Sequence, residues 1–371
     1  MDAGADAHVH DRDGGTDAGA SDGGPRDAGP TPCGDTVCGG EEACVRGVCV
    51  QHCGQDASGW DDALAAGLVP IASVCRSASA RATHATGSSL EVWDVTTSMA
   101  GNETTFVLSR WPLTDVGVVV EVARTSHDTG SADTLLFPGS YLTLSPAGRA
   151  AAFGFTTSAD FDGTVFHVLS ADGTETELAA PGNFDAAWLD ESTLLVNGLG
   201  LGTSTTGQGL HAAVLTDEGV SFVQVAEGLG IASGGVRVTD AFVLVGGFFE
   251  GFESRAYVLD RALVEDVVAG RREVLDVEAA ATSGTRGVHR VAELPSTFAW
   301  VHDLVVVQEY DASFSIAGLR AFPVTAYDVA TGLTLGPSEL LTTGAAFSDA
   351  LAAGSDRILL SFGAGVLLVE R

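Results

Sequence analysis

The stretch Tyr141–Ala180, YLTLSPAGRAAAFGFTTSADFDGTVFHVLSADGTETELAA, decides how the chain is read. Apolar and polar residues mostly alternate over Tyr141–Ser145, as in a strand with one buried face. Pro146-Ala147-Gly148-Arg149 then turns the chain, because proline presets φ and glycine accepts a positive one. Ala150–Thr156 is apolar almost throughout and Thr164–Ser170 reads as a third strand. Asp172-Gly173 is a hairpin signal leading into a fourth, Thr174–Leu178. One such sheet cannot bury both of its faces, so it has to stack on neighbours. That argues for a repeat.

Looser copies follow in order. Asn183–Ala226 contains FDAAWLD, STLLVNG, LHAAVLT and VSFVQVA. Gly228–Glu278 gives IASGGVRVT, AFVLVGGFF, RAYVLDR and REVLDVE, and Val288–Leu341 gives HRVAELPSTFAWVH, DLVVVQEYD, AFPVTAYDV and a last short strand. Ala345–Arg371 gives ALAAGS, RILLSFG and GVLLVER, and stops one strand short. Units of about 40 to 55 residues lie in the range of propeller blades. The second strand of each unit is apolar on both faces, as a strand between two neighbouring sheets must be. Sandwich strands would alternate on their outer face, and no helical period follows residue 70, which disfavours a βαβ fold. The expectation is an all-β chain whose residues 88–371 form a β-propeller of about six four-stranded blades, with five or seven possible. Leu90–Val95 is expected to complete the last sheet by pairing with Val366–Val369, leaving no open edge.

Leu144-Ser-Pro-Ala-Gly-Arg-Ala-Ala-Ala-Phe153, followed by Ser170-Ala-Asp-Gly173, resembles the WD-repeat-like and TolB-type propeller module. The resemblance implies a fold and no activity. In that module Pro146, Gly148, Asp172 and Gly173 shape a blade.

Residues 1–31 repeat Asp-Ala-Gly and Asp-Gly-Gly with almost no large apolar side chain, so they are expected to be a disordered, charge-extended tether. Gly19-Ala-Ser21-Asp-Gly23 fits a nucleophile-elbow pattern but lacks the strand and helix that chemistry needs. His8 and His10 with Asp11 and Asp13 could touch a metal only weakly. All the cysteines fall in the next segments: Cys33, Cys38, Cys44, Cys49 and Cys53 within residues 32–54, and Cys75 in the connector 55–87. An even count in a Gly-rich, helix-poor stretch fits a small disulfide framework, with zinc ligation and free thiols as the alternatives. A tether followed by such a cluster resembles surface lipoproteins and secreted proteins of myxobacteria and their relatives. That resemblance implies export and a lipid anchor upstream; residues 1–15 show neither the basic nor the apolar region of a leader.

The chain carries 49 acidic against 18 basic residues, a formal charge of −31, and every basic residue is an arginine. Such an excess argues against nucleic acid and anionic membrane as partners. No apolar run reaches the length of a membrane-spanning helix.

Candidate chemistry is thin. Asp160 and Asp162, before Gly163, resemble half of a calcium loop without its terminal glutamate, and an ordinary turn is the competing reading. His167 and His211 occupy comparable places in the third strands of adjacent units, either as a shared site near the axis or as satisfied core residues. Neither a phosphate loop nor a grouped catalytic triad is visible. No catalytic, cofactor or metal residue is therefore assigned. The expected function is a non-catalytic, exported, surface-tethered propeller, monomeric, that binds a protein or glycan. A hydrolase or lyase with its site at the axial channel is the alternative, and a plain structural spacer the third.

Overall fold

A computed structural model describes residues 31–78, 80–86, 89–101, 103–113, 118–128, 136–137, 142–145, 147–148, 151–157, 164–169, 175–180, 183–198, 209–230, 232–249 and 253–371. Six sheets of four or five strands follow one another along the chain. Four are built from consecutive segments, the third also takes Leu275–Asp276 from beyond the next three strands, and the sixth borrows a strand from the N-terminal side. The first strands of the sheets, Ala80–Thr86, Leu142–Leu144, Asn183–Trp188, Ala232–Val238, Ala299–Val301 and Asp349–Ala353, touch in that order, and the last touches the first. This closed ring is the axis of a β-propeller.

The stretch Tyr141–Ala180 forms most of the second blade, with strands Leu142–Leu144, Ala151–Thr157, Thr164–Leu169 and Glu175–Ala180. Its turn closes by a 2.8 Å bond from Gly148 N to Ser145 O, and Gly148 adopts φ 64°. A Cβ there would also lie 2.2 Å from the His84 ring on the first blade's inner strand, so two constraints require glycine. Asp172 and Gly173, with Pro146, lie outside the described residues.

The second strands behave as both-face-apolar strands should. Thr193–Gly198 is buried at every position, as is Phe242–Gly247. At Gly246 a Cβ would sit 1.8 Å from Ser296 O, in the segment that leads from the fourth blade to the fifth. That carbonyl accepts from Gly235 N, while Gly246 O accepts from the Asn197 side chain at 2.9 Å.

Three expectations change. The last sheet is completed by Val69–Val74, antiparallel to Gly365–Glu370, and not by Leu90–Val95. Leu90–Val95 lies inside Ser89–Ala100, already paired on both edges by Ala80–Thr86 and Glu103–Pro112, so it has no free edge to offer. It meets the last sheet face to face, through Val92 and Trp111 against Leu359, Val366 and Leu368. Segment 55–87 thus supplies both the closing strand and the first blade's inner strand.

The fourth blade, read from sequence as the unit Gly228–Glu278, also differs. Its outer strand is Val288–Val291, and two helices, Arg261–Val268 and Val277–Ser283, precede it. Asp260 caps the first helix at Ala262 N, and Asp276 caps the second at Ala279 N. Val264 and Val267, three apart, bury one face of the first helix. Leu275–Asp276, expected within a fourth strand, instead adds in parallel to the third blade.

The N-terminal cysteines form three disulfides, Cys33–Cys44, Cys38–Cys49 and Cys53–Cys75. The first two staple a pair of two-stranded hairpins. The third ties the end of the second hairpin to the residue after the closing strand. This region packs into the propeller core, with Val45, Val50, Trp60, Leu64 and Leu68 sharing one cluster with Leu304, Phe347, Ile358 and Phe362. The helix Trp60–Ala63 is a single turn. The Arg46 guanidinium collects the carbonyls of Asp61, Leu64, Ala65 and Leu68, acceptors that a short helix would leave unmet.

Candidate functional site

Charged side chains reach the axis from four of the six inner strands: Arg81 in the first blade, Asp185 in the third, Arg237 in the fourth and Asp349 in the sixth. Burial pushes the Asp349 carboxyl up, against the pull of Ala350 N, Arg237 and Arg81 and with the push of Asp185. The groups acting on it therefore come from across the ring as well as beside it. Yet the Asp349 side chain is exposed to solvent.

The two carboxylates differ in freedom. Asp185 is held on both oxygens: its Oδ1 accepts from Ala186 N at 2.9 Å, and its Oδ2 from Val236 N at 3.1 Å and from the Arg237 guanidinium. Asp349 has a single hydrogen bond, from Ala350 N at 2.7 Å, and no ion pair among the described residues. Arg81 is half-buried. It donates to Arg76 O and, at 3.4 Å, to Ser361 Oγ, while its buried Nε has no partner. Burial lowers its proton affinity, as does Arg76, while Asp94 and Asp349 support the charge. Asp94 itself is fully buried between Arg76 and Trp111 Nε1, the latter at 2.7 Å.

Replacing Asp185 by alanine is expected to cost about 2 to 3 kcal/mol, because it strands the Arg237 charge and the Val236 amide together. Chemical denaturation of the variant measures it; an unchanged midpoint would mean that water satisfies both groups equally well. For Asp349 the sign is opposite. A carboxyl whose folded pKa is raised contributes stability below its unfolded pKa and loses it as pH rises through the folded value. Asp349→Asn is therefore expected to be more stable than the parent chain near neutrality, with the gain vanishing below about pH 3, where aspartates are protonated in both states. Thermal melts at the two pH values compare the chains directly, and a destabilised variant at neutrality contradicts the assignment.

The residues singled out from sequence fare differently. His167 and His211 are buried on third strands, two strands out from the axis, and do not meet there. His167 Nδ1 bonds to Glu175 Oε1, and His211 Nδ1 lies 3.2 Å from Gly209 O, so both are satisfied core histidines. Asp160 and Asp162, Ser21, and His8 and His10 lie outside the described residues. Cys33, Cys38 and Cys49 place their sulfurs within 4.8 Å of one another, a metal-like cluster. Each is already half of a disulfide, and two stacked bridges explain the proximity. The four axial residues escaped sequence reading because each stands alone in its strand. An arginine or aspartate near the start of a first strand, as at Arg81, Asp185 and Asp349, was the available signal.

No protein-family model and no curated protein sequence matches the chain. Solved structures resemble it at the level of the fold. The β-propeller domain of the trilobed protease from Pyrococcus furiosus, described as having an open velcro topology, aligns with a TM-score of 0.37 and 10% identity, over 78% of this chain and 82% of that one. A post-proline cleaving enzyme from Rickettsia typhi aligns with a TM-score of 0.41 and 12% identity over 78% of this chain, which spans 44% of that protein. An acylaminoacyl peptidase from Pyrococcus horikoshii gives 0.38 and 10% over 79% of this chain and 45% of that one. At such similarity they bear on neither activity nor ligand.

Proposed function

We propose that this protein is an exported, monomeric propeller of the WD-repeat-like or TolB kind, tethered to a cell surface, that binds a protein or glycan ligand at the mouth of its axial channel. The observation that carries this reading is the asymmetry between Asp349 and Asp185. A water-open channel with one free carboxylate can recognise a polar ligand. Two-carboxylate hydrolysis needs a second free group, as acid or nucleophile, and Asp185 is held by three donors.

Export is supported by the three disulfides, which persist in oxidising compartments. Among the described residues no helix is long and apolar enough to cross a membrane. The Asp-Ala-Gly-rich residues 1–31 suit a tether of the kind seen in myxobacterial surface lipoproteins.

Turnover assays separate binding from catalysis. Aryl esters, peptide anilides, aryl glycosides and a uronate polysaccharide are expected to be left intact by the folded protein. Turnover of any of them that Asp349→Asn abolishes would replace the binding reading with the hydrolase or lyase one. Alkylation of the denatured protein from its native source tests export, with six blocked thiols expected. Six reactive thiols would refute it.

A further inference from the structure

The hairpin between the second and third strands of the fifth blade, Leu304–Tyr310 and Ile316–Asp328, carries two exposed aromatic rings. Phe314 is 88% exposed and Tyr310 55%, and they are the exposed aromatics among the described residues. The tip is held in one shape. Asp311 Oδ1 accepts from Ser313 N at 2.8 Å, Ser315 N at 3.0 Å and Ser313 Oγ at 2.6 Å, and Asp311 N donates to Ser315 O at 2.9 Å. Phe314 sits there at φ 60°, a left-handed conformation that costs a bulky side chain about 1 to 3 kcal/mol. No burial of the ring offsets that cost.

The hairpin is joined to the segment that leads into the sixth inner strand. Tyr310 OH donates to Gln308 Oε1, and Gln308 Nε2 donates at 2.5 Å to the carbonyl of Ser348, the residue before Asp349. Tyr310 is thus tied through Gln308 to the residue before Asp349, with Phe314 four residues further on at the tip of the same hairpin.

We propose that Tyr310, Phe314 and Asp349 form a subsite for a neutral saccharide chain. Sugar rings have apolar C–H faces and hydroxyl edges; rigid aromatic rings cover the faces, and a carboxylate accepts from two hydroxyls. The charge of −31 repels acidic glycans and favours neutral ones. A protein partner would call for a wider apolar patch than one protruding tip provides. The proposal rests on the binding reading given above.

The test is an array of neutral and acidic oligosaccharides, followed by titration, with the folded disulfide-bonded chain and three variants. Saturable binding of neutral saccharides is expected, weakened at least about tenfold by each of Phe314→Gly, Tyr310→Ala and Asp349→Asn. Phe314→Gly is expected to melt no lower than the parent, because glycine accepts φ 60° without strain, so its loss of binding cannot be laid to unfolding. Binding confined to acidic saccharides, binding that survives Phe314→Gly, or no saccharide binding at all would overturn the proposal. If no saccharide binds but a purified protein ligand does, and Asp349→Asn abolishes that complex, the saccharide assignment falls while the binding reading stands. Turnover of a saccharide lost with Asp349→Asn removes both.

Discussion

Replacing Cys53 and Cys75 together by serine is expected to lower stability by about 3 kcal/mol and to make the segment around Val69–Val74 the first point of proteolysis. The bridge spans 22 residues, and releasing it returns loop entropy to the unfolded chain. Its position adds a local effect. Cys75 directly follows the closing strand, and that strand is held to the last sheet on one side only, by Gly365–Glu370. Without the bridge the outer strand can peel away while the rest of the blade stays folded. Thermal melts with and without the substitution measure the first effect, and mass-spectrometric mapping of the earliest cuts measures the second. Unchanged melting with first cuts elsewhere would show that hydrogen bonding alone holds the closure.

Trp60→Ala should cost more, about 3 to 5 kcal/mol. The indole is 2% exposed, with its ring centre 4.5 Å from that of Phe362 and 5.5 Å from that of Phe347. It joins the disulfide-bonded region to the fifth and sixth blades, so the cavity would open at the seam where the ring of blades is closed. Trp60→Phe keeps an aromatic in the site and is expected to lose about 1 to 2 kcal/mol. Denaturant unfolding of both variants gives the comparison. If alanine is no worse than phenylalanine, the N-terminal region contributes little to the propeller. The two predictions address the same seam by separate forces, one covalent and one apolar.

Much of the fold is legible in local pattern. The run Leu194-Leu195-Val196 is apolar on successive residues, which a strand shows only when both its faces are covered, and all three are buried. The Pro-Ala-Gly turn after Leu144 is equally readable, and Gly148 has the positive φ it implies. Local pattern is silent where a segment's partner is distant. Val69-Pro-Ile-Ala-Ser-Val74 is short and contains proline, which suits an edge strand but does not announce one. Leu90–Val95 alternates cleanly and looked like the free strand, because pairing with Ala80–Thr86 cannot be seen in its own sequence. In the helix Arg261–Val268 the run Arg-Ala-Leu-Val-Glu-Asp-Val-Val is short enough to pass for a strand end.

The sequence by itself determined the strand periods, the repeat, the acidic surface and a cysteine-rich segment suited to disulfides, since all of these depend on neighbours a few residues apart. The tertiary structure alone decided which strand closes the ring, which cysteines pair, and that Arg81, Asp185, Arg237 and Asp349 come from separate blades within electrostatic reach of one another. The physical reason is the propeller's geometry. Each blade is local in sequence, but its inner edge faces the edges of the others, so a side chain's electrostatic partners are set by where the ring closes.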